Sequence, residues 1–256
     1  MKHILSANHR ELLRQLSWAE VLLAFDFDGT LAPIVPEPGD AHLRPSTRKL
    51  LTRLCECYPC AVISGRARDD LAQRLEGIPL HEIVAHHGLD PRTPPTALAV
   101  TVTRWRPALE ALEAEHPGLK VEDKQFSIAV HYRKSREKKR ALAALRQVIA
   151  GLGPLRAIHG HQVVNLLPPG APNKGTALEA LRARMGCDTA LYIGDDKTDE
   201  DVFELDQPGR LLSIRVGRSS ESAAPFYVED QRQVDDLMEA LLAERARSSP
   251  SPRARG

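Results

Sequence analysis

The sequence predicts an α/β fold: a parallel-sheet core interrupted by a smaller α+β insertion. Three observations lead there. Short apolar runs alternate with amphipathic helical stretches early in the chain and again towards its end. Between about Ala99 and Leu167 that rhythm gives way to paired short strands. Three apolar runs outside this segment stop on polar clusters, as strands of an open parallel sheet do where ligands gather at their carboxyl ends.

Residues 21–27 form the first strand, an apolar run that ends on Asp26, Phe27 and Asp28. Pro45-Ser46-Thr47 opens a helix with Leu50, Leu51 and Leu54 on one face. Ala61-Val62-Ile63 is a strand that ends in Ser64-Gly65-Arg66, followed by a helix carrying Leu71, Ala72 and Leu75. Ile83-Val84-Ala85 is a third strand. The insertion then reads as a strand from Ala99, a helix at 105–115 and strands at 119–123 and 126–132. A helix at 136–150 and strands at 155–159 and 162–167 complete it, with Pro94-Pro95 and Pro168-Pro169 at its junctions. A helix from Lys174 to Met185, the strand Leu191-Tyr192-Ile193 and a helix beginning near Thr198 restore the first rhythm. The expected organisation is therefore core 1–98, insert 99–167 and core 168–243. Residues 244–256, rich in Arg, Ser and Pro, read as a disordered tail.

At 256 residues the chain is long enough for one large domain or two smaller ones. A formal net charge of +1 gives no reason to expect nucleic acid or an anionic membrane as partner. No apolar run reaches transmembrane length, and the start Met-Lys-His turns polar too early for a secretory signal, so the default expectation is cytoplasmic. Cys55, Cys57 and Cys60 lack the paired spacing of a structural zinc site and read as reduced thiols.

The polar clusters carry the chemistry. Asp26 and Asp28, two apart, point to one side of an extended chain. Two ionised carboxylates that close repel, so the pair calls for a cation, and a hard metal such as Mg²⁺ suits oxygen donors. Ser64-Gly65-Arg66 and Gly194-Asp195-Asp196-Lys197-Thr198-Asp199 end two further strands at the same edge. Two rival motifs fail on spacing. Asp26, Asp28 and Glu37 fit positions of a calcium-binding EF-hand loop, but Gly29 comes too early for its turn. Gly170-Ala-Pro-Asn-Lys174-Gly-Thr has Lys-Gly-Thr where a phosphate loop requires Gly-Lys-Thr. Lys174 instead opens a helix, where a cation is unfavourable for the dipole unless it serves an anion.

Asp-x-Asp-Gly-Thr-Leu, Ser-Gly-Arg, Asn-Lys-Gly and Gly-Asp-Asp-x-Thr-Asp-Glu-Asp, in this order, resemble the four motifs of the haloacid dehalogenase superfamily of phosphatases. Residues 194–203, 121–133 and 85–90 are similar to stretches typical of its trehalose-6-phosphate phosphatase family. The resemblance spans residues 20 to 240 and implies a Rossmann-like core with residues 99–167 as a cap over the site. It implies Asp26 as nucleophile and Asp28 as general acid and base. Mg²⁺ would be held by Asp26, the Asp28 backbone carbonyl and Asp195, with Asp196 helping through a water. Asp199 would position Lys174. Ser64 and Lys174 would clamp the phosphate, aided by the Phe27 and Gly65 amides and by Arg66, with Thr30 orienting.

In the cap, Glu122, Lys124, His131 and Arg133 suit sugar hydroxyls. The implied partner is a small sugar phosphate, with a trehalose-6-phosphate synthase as functional associate. One departure bears on the sugar. In Val163-Val164-Asn165-Leu166-Leu167-Pro168, Asn165 and Leu167 stand where the family usually has a carboxylate and a cation. His161-Gln162 stands where a lysine is often found. Asn165 can still hydrogen-bond a hydroxyl, but as an amide.

Overall fold

The computed structural model describes residues 1–17, 19–88, 96–124, 126–160, 162–205 and 207–248. The chain divides into two compact units, Met1–Gly88 with Asn173–Gly256, and Leu89–Pro172. The expected insert limits of 99 and 167 lie inside the second of these; Pro94-Pro95 falls outside the described residues.

In chain order, the first unit begins with β1 (Lys2–His3), α1 (Arg10–Leu16), β2 (Val21–Phe25), α2 (Pro45–Cys55), β3 (Cys60–Ile63), α3 (Arg68–Arg74) and β4 (Glu82–Val84). The second holds α4 (Thr96–Glu115), β5 (Lys120–Asp123), β6 (Ile128–His131), α5 (Lys138–Gly151), β7 (Arg156–Gly160) and β8 (Val163–Leu167). The first unit resumes with α6 (Lys174–Arg184), β9 (Thr189–Gly194), α7 (Glu200–Phe203), β10 (Leu211–Val216), β11 (Phe226–Val228) and α8 (Gln231–Ser248).

The first unit is a seven-stranded sheet in the order β1-β11-β10-β9-β2-β3-β4, every neighbouring pair parallel. All five residues of β2 are buried because both sheet faces are covered. Its period of two is still visible in the packing. Val21, Leu23 and Phe25 join Leu50, Leu51 and Leu54 of α2 and Leu237, Met238 and Leu241 of α8. Leu22 and Ala24 join Leu178 and Leu181 of α6 on the other face. β2 lies between β9 and β3, and the chain runs outward to opposite edges from there, so the carboxyl ends of these three strands form the topological switch point. Cys55 ends α2 and Cys60 opens β3, and both are buried free thiols.

The second unit is a four-stranded antiparallel sheet, order β5-β6-β8-β7. α4 and α5 pack on the face presenting Ile128, Val130, Val164 and Leu166. The strand expected from Ala99 is instead helical, the opening turns of α4. Val100 to Thr103 are all β-branched, which favours strands, but the buried residues Val102, Trp105, Leu109 and Leu112 follow helical spacing. The Thr101 and Thr103 hydroxyls donate back to the Ala97 and Ala99 carbonyls at 3.1 and 2.8 Å, which accommodates them on a helix.

The tail expected from 244 also needs correction. α8 continues to Ser248, and residues 249–256 lie outside the described residues. Arg245 lies over the Tyr58 ring at 4.7 Å and donates to the Ser17 carbonyl at 2.7 Å, so its charge is used in packing. No described helix is long and apolar enough to cross a membrane.

Candidate active site

The polar residues that end β2, β3 and β9 come together at the switch point, joined by the first residue of α6. Asp26 extends β2 by one residue, its amide donating to the Ile193 carbonyl at 2.9 Å. The chain then turns sharply: Leu31 and Ala32 donate back to the Phe27 carbonyl, and Gly29 donates to Ala32. Gly29 has φ +80°, and a Cβ there would lie 2.0 Å from a carboxylate oxygen of Asp195. Glycine at this position therefore makes the room in which the Asp195 carboxylate sits.

Lys174 is the electrostatic centre. It is 2% exposed, and its Nζ donates to Asp26 Oδ1 at 2.8 Å and to Asp199 Oδ1 at 2.7 Å. Asn173 sets the start of α6 by a reciprocal cap with Thr176, which fixes the direction in which Lys174 leaves the helix. Asp199 accepts from four donors: Lys174 and the Tyr192 hydroxyl on Oδ1, the Asp195 and Asp196 amides on Oδ2. Its lone pairs are committed, so it is a scaffold for Lys174 and for the β9 terminus.

Asp26, Asp195 and Asp199 bring carboxylate oxygens within 4.8 Å of one another. Burial pushes Asp26 up to about 7; Lys174 opposes that rise, and repulsion from Asp199 and then Asp28 adds to it. Burial and then the Asp26 charge push Asp195 up to about 9. Burial alone would lower Lys174, but Asp199 and Asp26 outweigh it and hold the ammonium above its usual range. Asp195 Oδ1 is buried and accepts no hydrogen bond among the described residues. An excess of buried carboxylates over ammonium, with one orphaned oxygen, fits a hard divalent cation between Asp26 and Asp195.

Two further residues of the expected metal set, Asp28 through its backbone carbonyl and Asp196 through a water, have side-chain partners within the protein. The Asp28 carboxylate is held by Arg66, Nε and Nη2 donating at 2.6 Å each. The tight turn after β2 ends the extended chain between Asp26 and Asp28, and the Asp28 carboxylate meets Arg66. Asp196 is exposed and caps the following 3-10 turn (Lys197–Asp199), its Oδ1 accepting from the Lys197 amide at 2.6 Å. Arg66, expected on phosphate, is engaged by Asp28 and also donates to Asp70 at 2.7 Å.

Ser64 is 1% exposed at the end of β3, and its Oγ accepts from the Arg66 amide at 3.3 Å. The His86 and His87 amides donate to the Arg66 and Ser64 carbonyls, both at 3.0 Å. A Cβ on Gly65 would lie 2.3 Å from the His87 ring, so this loop is shaped by the histidine packed on it. His86 and His87 have φ of 51° and 59°, a strained pair that sequence spacing could not reveal. Thr30 is fully buried, its Oγ1 without a hydrogen-bond partner among the described residues.

In the second unit, register pairs Glu122 with Ala129 and Ala129 with Asn165, which puts Glu122 and Asn165 on the face opposite α4 and α5. His131 shares that face, its Nε2 2.9 Å from Glu122 Oε2. Lys124 Nζ lies 4.0 Å from the same oxygen. Arg133 follows β6 and is exposed, Asn165 is buried in β8, and Leu167 ends that strand.

Residues 24–232 match the trehalose-phosphatase family. A probable trehalose-phosphate phosphatase 4 of Oryza sativa subsp. japonica is 30% identical over 252 residues, covering 91% of this chain and 68% of that protein. A probable trehalose-phosphate phosphatase E of Arabidopsis thaliana is 28% identical, covering 91% and 73%. Among solved structures, the C-terminal domain of C. albicans trehalose-6-phosphate phosphatase superposes with TM-score 0.75 at 22% identity, covering 91% of this chain and 96% of that one. With the expected parallel core and the acidic cluster at its switch point, this chain belongs to the trehalose-phosphatase family.

Proposed function

We propose that this protein hydrolyses trehalose 6-phosphate to trehalose and phosphate through an aspartyl-phosphate on Asp26. The observation that carries the reading is the buried Asp26–Lys174–Asp199 array beside Asp195, in a chain of this family. A carboxylate oxygen of Asp26 attacks phosphorus as the bond to the sugar oxygen breaks, and Asp28 gives that oxygen its proton. Asp28 then takes a proton from water, whose oxygen attacks the phosphoryl group and returns Asp26 to its free form. Lys174 orients Asp26 and places positive charge beside the transferring group, while Ser64 and the Phe27 and Gly65 amides bind its oxygens.

Asp26 and Asp195, with the Asp28 backbone carbonyl, would hold Mg²⁺, which when bound neutralises the carboxylates against an anionic substrate. Sugar recognition is assigned to Glu122, Lys124, His131, Arg133 and Asn165, donors and acceptors suited to hydroxyls. A trehalose-6-phosphate synthase would supply the substrate, so functional association with that enzyme belongs to the proposal. The test is phosphate release from a panel of sugar phosphates with Mg²⁺. Release from trehalose 6-phosphate is expected; silence there, with turnover of another sugar phosphate, ends the substrate assignment.

A further inference from the structure

Arg66 divides its guanidinium between two carboxylates. One edge grips Asp28 through Nε and Nη2 at 2.6 Å each, and Nη1 donates to Asp70 at 2.7 Å. Asp70 accepts in turn from Arg74 Nε at 2.8 Å, and Arg74 is anchored on the carbonyls of Gly39 and Ala41, in the loop that leads from β2 to α2. Arg66, Asp70 and Arg74 succeed one another at four-residue intervals from the loop before α3 along that helix, so one face presents a charge ladder ending on Asp28. The Phe27 ring, 5.2 Å from the Arg66 guanidinium carbon, supports its flat face. The side chain of Asp28 is 40% exposed whereas those of Arg66 and Arg74 are 11% and 9% exposed. The solvent-facing member of the array is thus the acid itself, and the buried arginines are the frame.

We propose that Asp70 is a positioning residue: it fixes the Arg66 fork, which holds the Asp28 carboxylate in the one orientation that serves proton transfer to the leaving oxygen. This rests on the phosphatase reading above. A two-point fork sets the plane of a carboxylate as well as its distance, and a lysine or an untethered arginine does not. Asp70 touches no reacting atom in this scheme. Its link to the Asp28 carboxylate runs through Arg66.

The test compares an alkyl phosphate, whose leaving oxygen needs a proton, with p-nitrophenyl phosphate, whose leaving group departs as a stabilised anion. For Asp70→Asn, kcat/KM on trehalose 6-phosphate is expected to fall about tenfold, the size of a small misplacement of a reacting group. On p-nitrophenyl phosphate it should change less than about twofold, because protonation contributes little there. Asp70→Glu should recover part of the loss. In an Arg66→Lys background, which lacks the fork, Asp70→Asn should add nothing further. An equal fall on both substrates would assign the ladder to phosphate binding or to folding and overturn the proposal, as would unchanged kinetics on both. If the wild type turns over a different sugar phosphate instead of trehalose 6-phosphate, the substrate assignment fails. The same comparison then decides on Asp70 with that sugar phosphate as the alkyl arm.

Discussion

Replacing Lys174 with methionine keeps an unbranched side chain, one heavy atom shorter, and removes the charge together with its N–H donors. In the native protein the ammonium makes two short hydrogen bonds, to Asp26 and Asp199, with all three side chains at most 6% exposed. Its loss leaves two buried carboxylates facing one another. Removing one partner of a buried ion pair costs about 3–5 kcal/mol. At about 2–4 °C per kcal/mol for a chain of this size, the unfolding midpoint should fall by roughly 6–20 °C.

The loss should also depend on pH in a definite direction. Asp26 is already pushed up to about 7, and without the ammonium it moves further up. At low pH Asp26 can take a proton and the deficit is small; as pH rises it must ionise in an apolar site and the deficit grows. Thermal unfolding of wild type and Lys174→Met, both in EDTA at about pH 5 and about pH 8, measures this. Adding Asp199→Asn to the variant should return part of the stability. A midpoint unchanged at the higher pH, or an equal loss at both, would refute the electrostatic account.

Stripped of divalent cations, the wild type should itself lose stability as pH rises. Asp26 and Asp195 have folded pKa values near 7 and 9 against an ordinary 3.8, so the folded state binds protons more tightly between those limits. Mg²⁺ should reverse that slope in scanning calorimetry, by about 2.7 kcal/mol at one hundred times its dissociation constant; a midpoint indifferent to Mg²⁺ at neutral pH would contradict the site. Gly29→Ala should abolish the Mg²⁺-induced rise, because the new methyl needs the space of the Asp195 carboxylate. Retention of the full rise would show that Asp195 is not a ligand.

The parts of the site that could be read from sequence are those that depend on strand direction alone. Asp26, Ser64 and Asp195 each follow an apolar run, and β2, β3 and β9 prove to be adjacent and parallel, so their ends coincide. Lys174 was visible because a cation at a helix start is unfavourable without an anion to serve. Features that depend on local backbone departures were not legible. The i, i+2 rule joined Asp26 to Asp28, but the turn at Gly29 sends Asp28 to Arg66.

The positive φ angles of His86 and His87 leave no mark in residue type. In α4, β-branched alternation outweighed a helical period that began only at Val102, and in α8 an Arg- and Ser-rich end concealed Arg245 packed on Tyr58. β11 is three residues long and pairs with β1 from the other end of the sequence, so its place is fixed by tertiary context more than by propensity.

In the proposed mechanism Asp26 carries the phosphoryl group. An Asp28→Asn variant mixed with p-nitrophenyl phosphate and Mg²⁺, quenched in acid and digested, tests it directly, since the leaving group needs no proton and the activated water that would clear the intermediate is lost. The expected result is a burst of p-nitrophenol matched by a phosphoryl adduct on the peptide containing Asp26. A burst with the adduct on another residue, or steady turnover with Asp26 never modified, would contradict the account.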